Sequence, residues 1–434
     1  MSNRRATVPK RASEIVGEFE RRISTGRLQL GGRVPTVRAL SDELGVAPAT
    51  VASAYRQLAE RGTLVSRGRL GTFVAARPAL GAATPTAVPD GVVDLASGSP
   101  DPNLLPRLAR RAPDRPVLYG APQVHPALAH TAAEWLRRNR LSHGHLAVVG
   151  GAMDGVERLL QTYLRPGDAV AVEDPGYPNV VDIARGLGLA PVPVPVDGAG
   201  VSVDALRAVL RRVQAVVLTP RALNPTGAHL TPARARLLHE ALAAYPEVLV
   251  IEDDHAGEVA GVPLHSVGHG LARWAVVHSV AKSLGPDLRL ALVAGDEGTV
   301  ERLQARQRLG AGWVSHELQR MVATAYGDDA TLAALHRARD IYAERRTALV
   351  DALAGEGVVA SAASGLNVWI PVAEEATVCT ALLGAGYAVT PGARFRHHSE
   401  PAVRITVSRL VRRDARTIAS AIARALRTAA WAAS

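Results

Sequence analysis

Cysteine occurs once in the 434 residues, at Cys379, so no intramolecular disulfide can form, and no Cys/Cys/His/His grouping offers a zinc site. That economy suits a reducing cytoplasm, where the chain is expected to reside. Lysine is nearly absent as well: Lys10 and Lys282 are the only two, and arginine supplies the rest of the 50 cations, as a GC-rich coding bias would produce. No stretch reaches about 18 uninterrupted apolar residues, and the opening MSNRRATVPKRASEIVGEF lacks an apolar signal core. Membrane spanning and export are therefore not expected. With 47% hydrophobic and 21% charged residues, the composition is that of a folded globular protein, not a disordered one. The length allows roughly two to four domains.

The net charge of +10 is unevenly placed. Residues 1–77 hold 14 Lys/Arg against 6 Asp/Glu, whereas the other 357 residues hold 36 against 34. A small basic module on a nearly neutral body points to a polyanion such as nucleic acid, and a merely solvated face is the blander reading. The shortage of lysine matters to chemistry. A desolvated lysine amine can act as a nucleophile or form a Schiff base, while arginine stays protonated and does neither. Lys10 lies in the basic leader, so Lys282 is the candidate for amine chemistry.

Between Arg11 and Gly26, Ile15, Val16, Phe19 and Ile23 recur at helical spacing and predict a first helix. TVRALSDEL, residues 36–44, predicts a second that stops at Gly45. Pro48 then opens a third at a position where proline is tolerated. Two short helices across a tight turn make a helix-turn-helix, and LVSRGRLGTFV adds a hairpin with basic residues near its tip, a wing. A recognition helix must offer its first turns to base edges while flanking cations hold phosphates. The candidates are Ala49, Thr50, Ser53 and Tyr55 for the bases, with Arg38 and Arg69 for phosphates. A helical protein–protein module is the competing reading. The ordered string GGRVPTVRALSDELGVAPATV, AYRQLAERG and GRLGTFV resembles the GntR-type winged helix-turn-helix over residues 10–77. It departs from that family at Ala47 and Pro48, where Ser and Arg are more usual.

Residues 78–91, rich in Pro, Ala, Gly and Thr, read as a linker. Beyond them, apolar runs such as AVAVEDP, AVVLTP and VLVIEDD alternate with helical stretches, the pattern of an α/β body with a mostly parallel sheet and crossover helices.

In VVGGAMDGVERLL a strand meets two glycines and a helix, so N–H groups at Gly151 and Ala152 could cup an anion. The spacing fails G-x-G-x-x-G, which weakens a dinucleotide reading. Four further segments supply what a pyridine cofactor with a phosphate and an aldehyde needs. EDPGYP offers Tyr177 to stack on the ring, and TPRALNPTG offers Asn224 to a phenolic oxygen. VIEDDH offers Asp253 to a ring nitrogen; HSVAKSLGPDLR offers Ser279 and Arg289 to phosphate and Lys282 as the Schiff-base amine. Each has a plain alternative: Asp253 as a strand-end cap, Tyr177 as core.

The order GGAMDG, DPGYP, NPTG, EDDH, SxxKSxGPxxR and VRITVS resembles the fold-type I, aspartate-aminotransferase-like pyridoxal 5′-phosphate domain, over residues 92–430. That resemblance implies a mostly parallel sheet with a smaller C-terminal α+β subdomain. It implies an internal aldimine at Lys282, Asp253 on the pyridine nitrogen, Asn224 on the 3′-oxygen and Tyr177 on the ring. It places Gly151, Ala152, Ser279 and Arg289 on the phosphate, with Tyr119 reaching the same phosphate from a partner subunit. It also assigns Arg404, in PAVRITVS, to a substrate or effector carboxylate. His255 stands where tyrosine is usual, and an imidazole there is expected to donate to the 3′-oxygen with a pH-dependent charge. TPRALNPTG with EDDH suggests a separate branch, one resembling PtsJ. A GntR-type reader fused to such a body resembles the MocR subfamily of transcriptional regulators, which implies a homodimer on double-stranded operator DNA. An amine or amino-acid effector would act by displacing Lys282. A working aminotransferase with an accessory DNA-binding segment is the alternative, and a nucleic-acid-binding protein with a vestigial body is a third.

Overall fold

The computed structural model describes residues 11–24, 27–29, 31–60, 63–66, 68, 71–74, 88–108, 117–141 and 145–433. Two compact units divide the chain, one built on the N-terminal 83 residues and the other on most of the remainder.

In the N-terminal unit, α1 (Ala12–Ser24), α2 (Val37–Leu44) and α3 (Pro48–Glu60) precede a hairpin of β1 (Leu64–Ser66) and β2 (Thr72–Val74). The Thr36 hydroxyl accepts from the Ala39 N–H at 3.2 Å and caps α2, while Gly45 closes it at φ +63°. The hairpin pairs Leu64 with Val74, so both point inward onto Val16, Leu40, Val51 and Leu58. Three helices followed by a two-stranded wing are what the periodicity and punctuation of this segment imply. Gly26 lies outside the described residues, and so do positions 78–87 of the linker.

The second unit begins with β3 (Val93–Asp94), α4 (Pro126–Arg138), β4 (His145–Val149), α5 (Ala152–Tyr163), β5 (Ala169–Asp174), α6 (Pro178–Gly186), β6 (Ala190–Asp197) and β7 (Gly200–Val201). It continues with α7 (Val203–Val209), β8 (Ala215–Leu218), α8 (Pro232–Ala243), β9 (Leu249–Asp254), β10 (Trp274–Ser279) and β11 (Ala291–Gly295). These strands form one sheet in the order β4-β11-β10-β9-β8-β5-β6-β7, with β5, β8, β9 and β10 mutually parallel. Every residue of β8, β9, β10 and β11 is buried, because helices cover both faces, and this is why these strands read as unbroken apolar runs. The α/β expectation is borne out. β11 turns back, antiparallel to both β10 and β4, since no helix lies between Ser279 and Ala291 to carry the chain across, and the short β7 likewise runs antiparallel to β6.

Helices α9 (Glu297–Arg308), α10 (His316–Tyr326) and α11 (Asp329–Gly355) lead to a smaller α+β part. There β12 (Asn367–Pro371), α12 (Glu375–Gly384), β13 (Tyr387–Ala388), β14 (Thr390–Pro391), β15 (Ala402–Thr406) and α13 (Ala415–Ala433) follow. Its antiparallel sheet runs β12-β15-β14 and packs Val368, Ile370, Val403 and Ile405 against Leu349, Ile418 and Ile422. Among the described residues no helix is long and apolar enough to cross a membrane.

Candidate functional site

Strands that run the same way end on the same edge, and in an open α/β sheet the crevice beyond the carboxyl ends is where ligands meet the protein. β4, β5, β8, β9 and β10 deliver Gly151, Tyr177, Asn224, Asp253 and Ser279 just past or at those ends. Arg289 arrives there from the opposite sense, since β11 starts at Ala291, opposite Val149 and Ser279.

The Lys282 amine donates to the Gly98 carbonyl at 2.6 Å. Burial, with Arg404 as the second influence, brings its pKa down to about 8, so a useful fraction of the amine is neutral and nucleophilic near physiological pH. Gly98 sits at φ +65°, and a Cβ there would lie 3.5 Å from the Arg404 guanidinium, so the same glycine neighbours both Lys282 and Arg404.

Asp253 is 2% exposed and its Oδ1 has no hydrogen-bond partner. Burial and then the neighbouring Asp254 raise its carboxyl to about 7. A buried carboxylate oxygen left unpaired costs on the order of 1–3 kcal/mol, a standing invitation to a donor such as a protonated ring nitrogen.

At α5, Gly151 holds the N-terminal cap position at φ +111° with no side-chain cap, leaving first-turn N–H groups for an external acceptor. A Cβ on Gly151 would lie 2.6 Å from Arg289 Nη2, so the missing side chain makes room for the guanidinium beside that helix terminus. Ala152 is buried behind it; Ser279, also buried, accepts from the Ala281 N–H at 3.2 Å. The uncapped first turn of α5 and the Arg289 guanidinium thus lie side by side.

Arg404 lies in β15, 6% exposed. Its Nη1 donates to Asn224 Oδ1 at 3.1 Å, its Nη2 to the Ala96 carbonyl and to Thr390 Oγ1, and its guanidinium lies 4.9 Å over the Phe395 ring. Nε is buried without a partner. Asn224 Oδ1 also accepts from Asn367 Nδ2 at 3.3 Å, so the Asn224 amide nitrogen is the group left to meet a ligand. The Tyr177 hydroxyl is raised, by burial and then by Asp253, against opposing pulls from Arg404, Arg289 and Arg394.

His255 departs from its expected role. Its Nε2 lies 2.8 Å from the Ala222 carbonyl, and a carbonyl only accepts, so that nitrogen carries the proton. Burial, with Lys282 second, lowers the imidazole to about 4, so it is neutral near pH 7 and its single donor is already spent. In this structure it has no N–H to give a 3′-oxygen. Tyr119 stands apart, 95% exposed with its ring edge-on to Trp313 at 5.8 Å.

Sequence reasoning missed Gly98 and Arg394, and also Glu173, whose two oxygens accept from the Thr219 N–H and hydroxyl at 3.0 and 2.8 Å. Burial pushes Glu173 up to about 8. The repeated carboxylates closing VEDP and IEDD at two strand ends were the available signal for Glu173.

On the N-terminal unit, Arg38 and Ala49 are exposed and Thr50 and Ser53 half-buried along α2 and α3. Tyr55 is a correction. It is 7% exposed, its hydroxyl donates to the Pro35 carbonyl at 2.8 Å, and its ring meets Phe19 edge-on at 5.5 Å, so it belongs to the core and not to a base-reading face. Arg56, exposed one residue later, is the side chain that stretch presents instead. Arg69 lies outside the described residues.

Comparison with known proteins matches the aminotransferase class I and II profile to residues 90–422 and the profile of the bacterial regulatory proteins of the gntR family to residues 11–74. The vitamin B6 salvage pathway transcriptional repressor PtsJ of Salmonella typhimurium is 40% identical over 431 residues, covering 96% of this chain and 99% of the relative. The pyridoxine biosynthesis transcriptional regulator PdxR of Corynebacterium glutamicum is 31% identical over 58% of each chain. Among solved structures, kynurenine aminotransferase of Pyrococcus horikoshii superposes with a TM-score of 0.71 at 21% identity, over 79% of this chain and 92% of its own. LysN, the α-aminoadipate aminotransferase of Thermus thermophilus, gives 0.69 at 23%, over 79% and 94%.

Proposed function

Because the chain belongs to the aminotransferase class I and II family, in the MocR-type branch that carries a GntR-family reader, we propose that it is a DNA-binding transcriptional regulator whose body holds pyridoxal 5′-phosphate. The observation that carries the cofactor half is the unpartnered, buried Asp253 oxygen, together with an uncapped helix N-terminus at which only glycine at 151 leaves room for Arg289. These residues fit the group. Lys282 would take its aldehyde carbon, Asp253 its ring nitrogen, the Asn224 amide nitrogen its 3′-oxygen and Tyr177 its ring face. Gly151, Ala152, Ser279 and Arg289 would hold its phosphate, with Tyr119 contributed by the partner of a homodimer. Bound there, the cofactor supplies an electrophilic carbon that exchanges amines.

The chain's own part is to bind, orient and report. Lys282 would supply the amine that an incoming amine exchanges for, and Arg404 would take the carboxylate of an amino-acid effector as a bidentate pair, giving up Asn224 and Thr390. Such an effector changes DNA binding only by as much as its affinity differs between the DNA-competent and DNA-incompetent states. The names of the PtsJ and PdxR relatives support genes of vitamin B6 metabolism as targets. Reading of the operator falls to Ala49, Thr50 and Ser53, with Arg38 and Arg69 on phosphates.

The test is fluorescence anisotropy of the full-length protein titrated onto DNA from upstream of its own gene, at fixed salt, with and without pyridoxal phosphate. Specific binding whose affinity or stoichiometry changes with the cofactor is expected. Cofactor binding without preference for that DNA over random sequence, together with complete turnover on an amino acid and a keto acid, would replace the regulator reading by that of a working aminotransferase.

A further inference from the structure

The motif residues Arg221, Asp254 and His278, to which the cofactor chemistry gives no role, form one buried unit. Arg221, three residues before Asn224, grips Asp254 with Nε to Oδ1 at 2.6 Å and Nη2 to Oδ2 at 2.8 Å. Its Nη1 donates to the Val262 carbonyl at 3.1 Å. From the next strand, where His278 lies in register with Asp254, the imidazole Nδ1 bonds the same carboxylate at 2.7 Å. The other nitrogen lies 3.3 Å from Glu258 Oε1, and the Tyr326 hydroxyl donates to Glu258 Oε2 at 3.0 Å. Trp135 covers the imidazole, ring centroids 4.6 Å apart. Gly257, at φ +53°, favours the approach: a Cβ would sit tightly, 3.0 Å from His278 Cε1.

Position in the chain gives this unit its meaning. Successive residues of a strand face opposite ways, so Asp254 turns away from the side that Asp253 faces. Arg221 anchors the loop that ends in Asn224, and His278 immediately precedes Ser279. We propose that Arg221, Asp254 and His278 are positioning residues that mount Asn224, Asp253 and Ser279 on one buried charged frame and reserve for Asp253 the proton shared with a bound pyridine nitrogen. The inference rests on the proposed cofactor site.

Two adjacent buried carboxyls compete for protons, and the frame decides between them. Burial alone would raise Asp254, but Arg221 and His278 hold it far below the usual carboxylate range, whereas Asp253, with no cation bonded to it, goes up. For His278 the charged and titratable neighbours are Asp254 on β9, Glu258 on the turn and, behind them, Arg221 and Tyr326. Burial opposes its charge, yet the two carboxylates keep it protonated to about pH 9. Two cations then balance two anions. A buried pair left with one partner is the unfavourable case.

The test uses full-length protein labelled at histidine Cε1, with the His278 signal assigned by its loss in His278→Gln. In cofactor-free protein that signal is expected to titrate well above the ordinary imidazole range, and Glu258→Gln, at a partly exposed site, to lower its midpoint by about one pH unit or more. In cofactor-loaded protein, His278→Gln removes a positive charge near Asp253 and should move the pH midpoint of the bound-cofactor absorbance upward, with Arg221→Lys moving it less. A wild-type His278 that titrates in the ordinary range overturns the proposal. So do variants that lower the melting temperature but leave the absorbance midpoint in place, since the frame would then be structural only. Absence of any cofactor band in the wild type overturns the proposal together with the site it rests on, whereas a band with an unmoved midpoint overturns the proposal alone.

Discussion

Arg404 and Asn224 are joined by a 3.1 Å hydrogen bond from Nη1 to Oδ1, so the arginine set aside for a carboxylate already touches the amide set aside for the cofactor. The bond ties the smaller α+β part to the loop after β8, and Asn367, itself held by Thr406, supports it from β12. A carboxylate entering at Arg404 competes with Asn224 and Thr390 for the guanidinium. Arg404→Ala should therefore leave cofactor binding within severalfold of wild type but weaken the spectral response to added amino acid at least tenfold, about 1.4 kcal/mol. Absorbance titration with an amino acid reads this directly. Equal loss of cofactor and amino-acid binding would make Arg404 a structural residue.

Lys282 gives a covalent readout. Borohydride reduction of cofactor-loaded protein should leave a pyridoxyl group on the peptide carrying Lys282, and Lys282→Ala should abolish it while the far-ultraviolet circular dichroism stays native. An adduct that persists on another residue would remove Lys282 from its role.

The rate of that capture should also follow pH in a particular way. Burial and Arg404 both depress the amine, whose midpoint falls at about 8. Only the neutral amine attacks, so the pseudo-first-order rate with pyridoxal phosphate rises with pH up to about 8 and then levels off. Arg404→Ala removes one positive charge from the amine's surroundings and should shift that midpoint upward. A rate that keeps climbing toward the ordinary lysine range in the wild type would contradict the buried placement of Lys282.

How much of this was legible in the sequence depended on the range of the interaction. Thr36, Gly45 and Pro48 punctuate helices within a few residues of themselves, so α2 and α3 could be read locally. The strand-end positions of Asn224, Asp253 and Ser279 followed from apolar runs meeting polar motifs. The contact of Lys282 with Gly98 spans 184 residues, and the grip of Arg221 on Asp254 spans 33, distances at which no periodicity operates. Tyr55 is different, because the signal was present: Val51, Ala54, Tyr55 and Leu58 fall on one helical stripe, all buried. Its place on the recognition helix suggested a base contact, but the buried stripe decides.

Arg38, exposed near the start of α2, should behave as a phosphate contact. Such contacts release counterions, so Arg38→Ala should weaken binding to specific and random DNA alike and reduce the slope of log K against log salt by about 1. Anisotropy titrations at four or five salt concentrations give the slope. If it is unchanged, Arg38 does not face DNA.

Tyr55 separates a core role from a recognition role. Tyr55→Phe keeps the ring against Phe19 and removes only the hydroxyl that donates to the Pro35 carbonyl, the residue leading into the Thr36 cap of α2. The net worth of such a bond is about 0.5–1.5 kcal/mol, and the cost rises toward the upper end if the carbonyl is left without a donor. The N-terminal unit should therefore unfold at a lower denaturant concentration. Burial, with Glu43 second, holds the phenol above its usual range, so the hydroxyl remains a donor throughout the working pH range and the stability loss should not vary between pH 6 and 9. Well below the unfolding transition, operator affinity and discrimination against random DNA should match the wild type, because no base contact has been removed. Thr50→Ala supplies the contrast: at a half-buried position in the first turn of α3, it should alter discrimination while costing less stability. A Tyr55→Phe protein of unchanged stability that no longer distinguishes operator from random DNA would return Tyr55 to the recognition face.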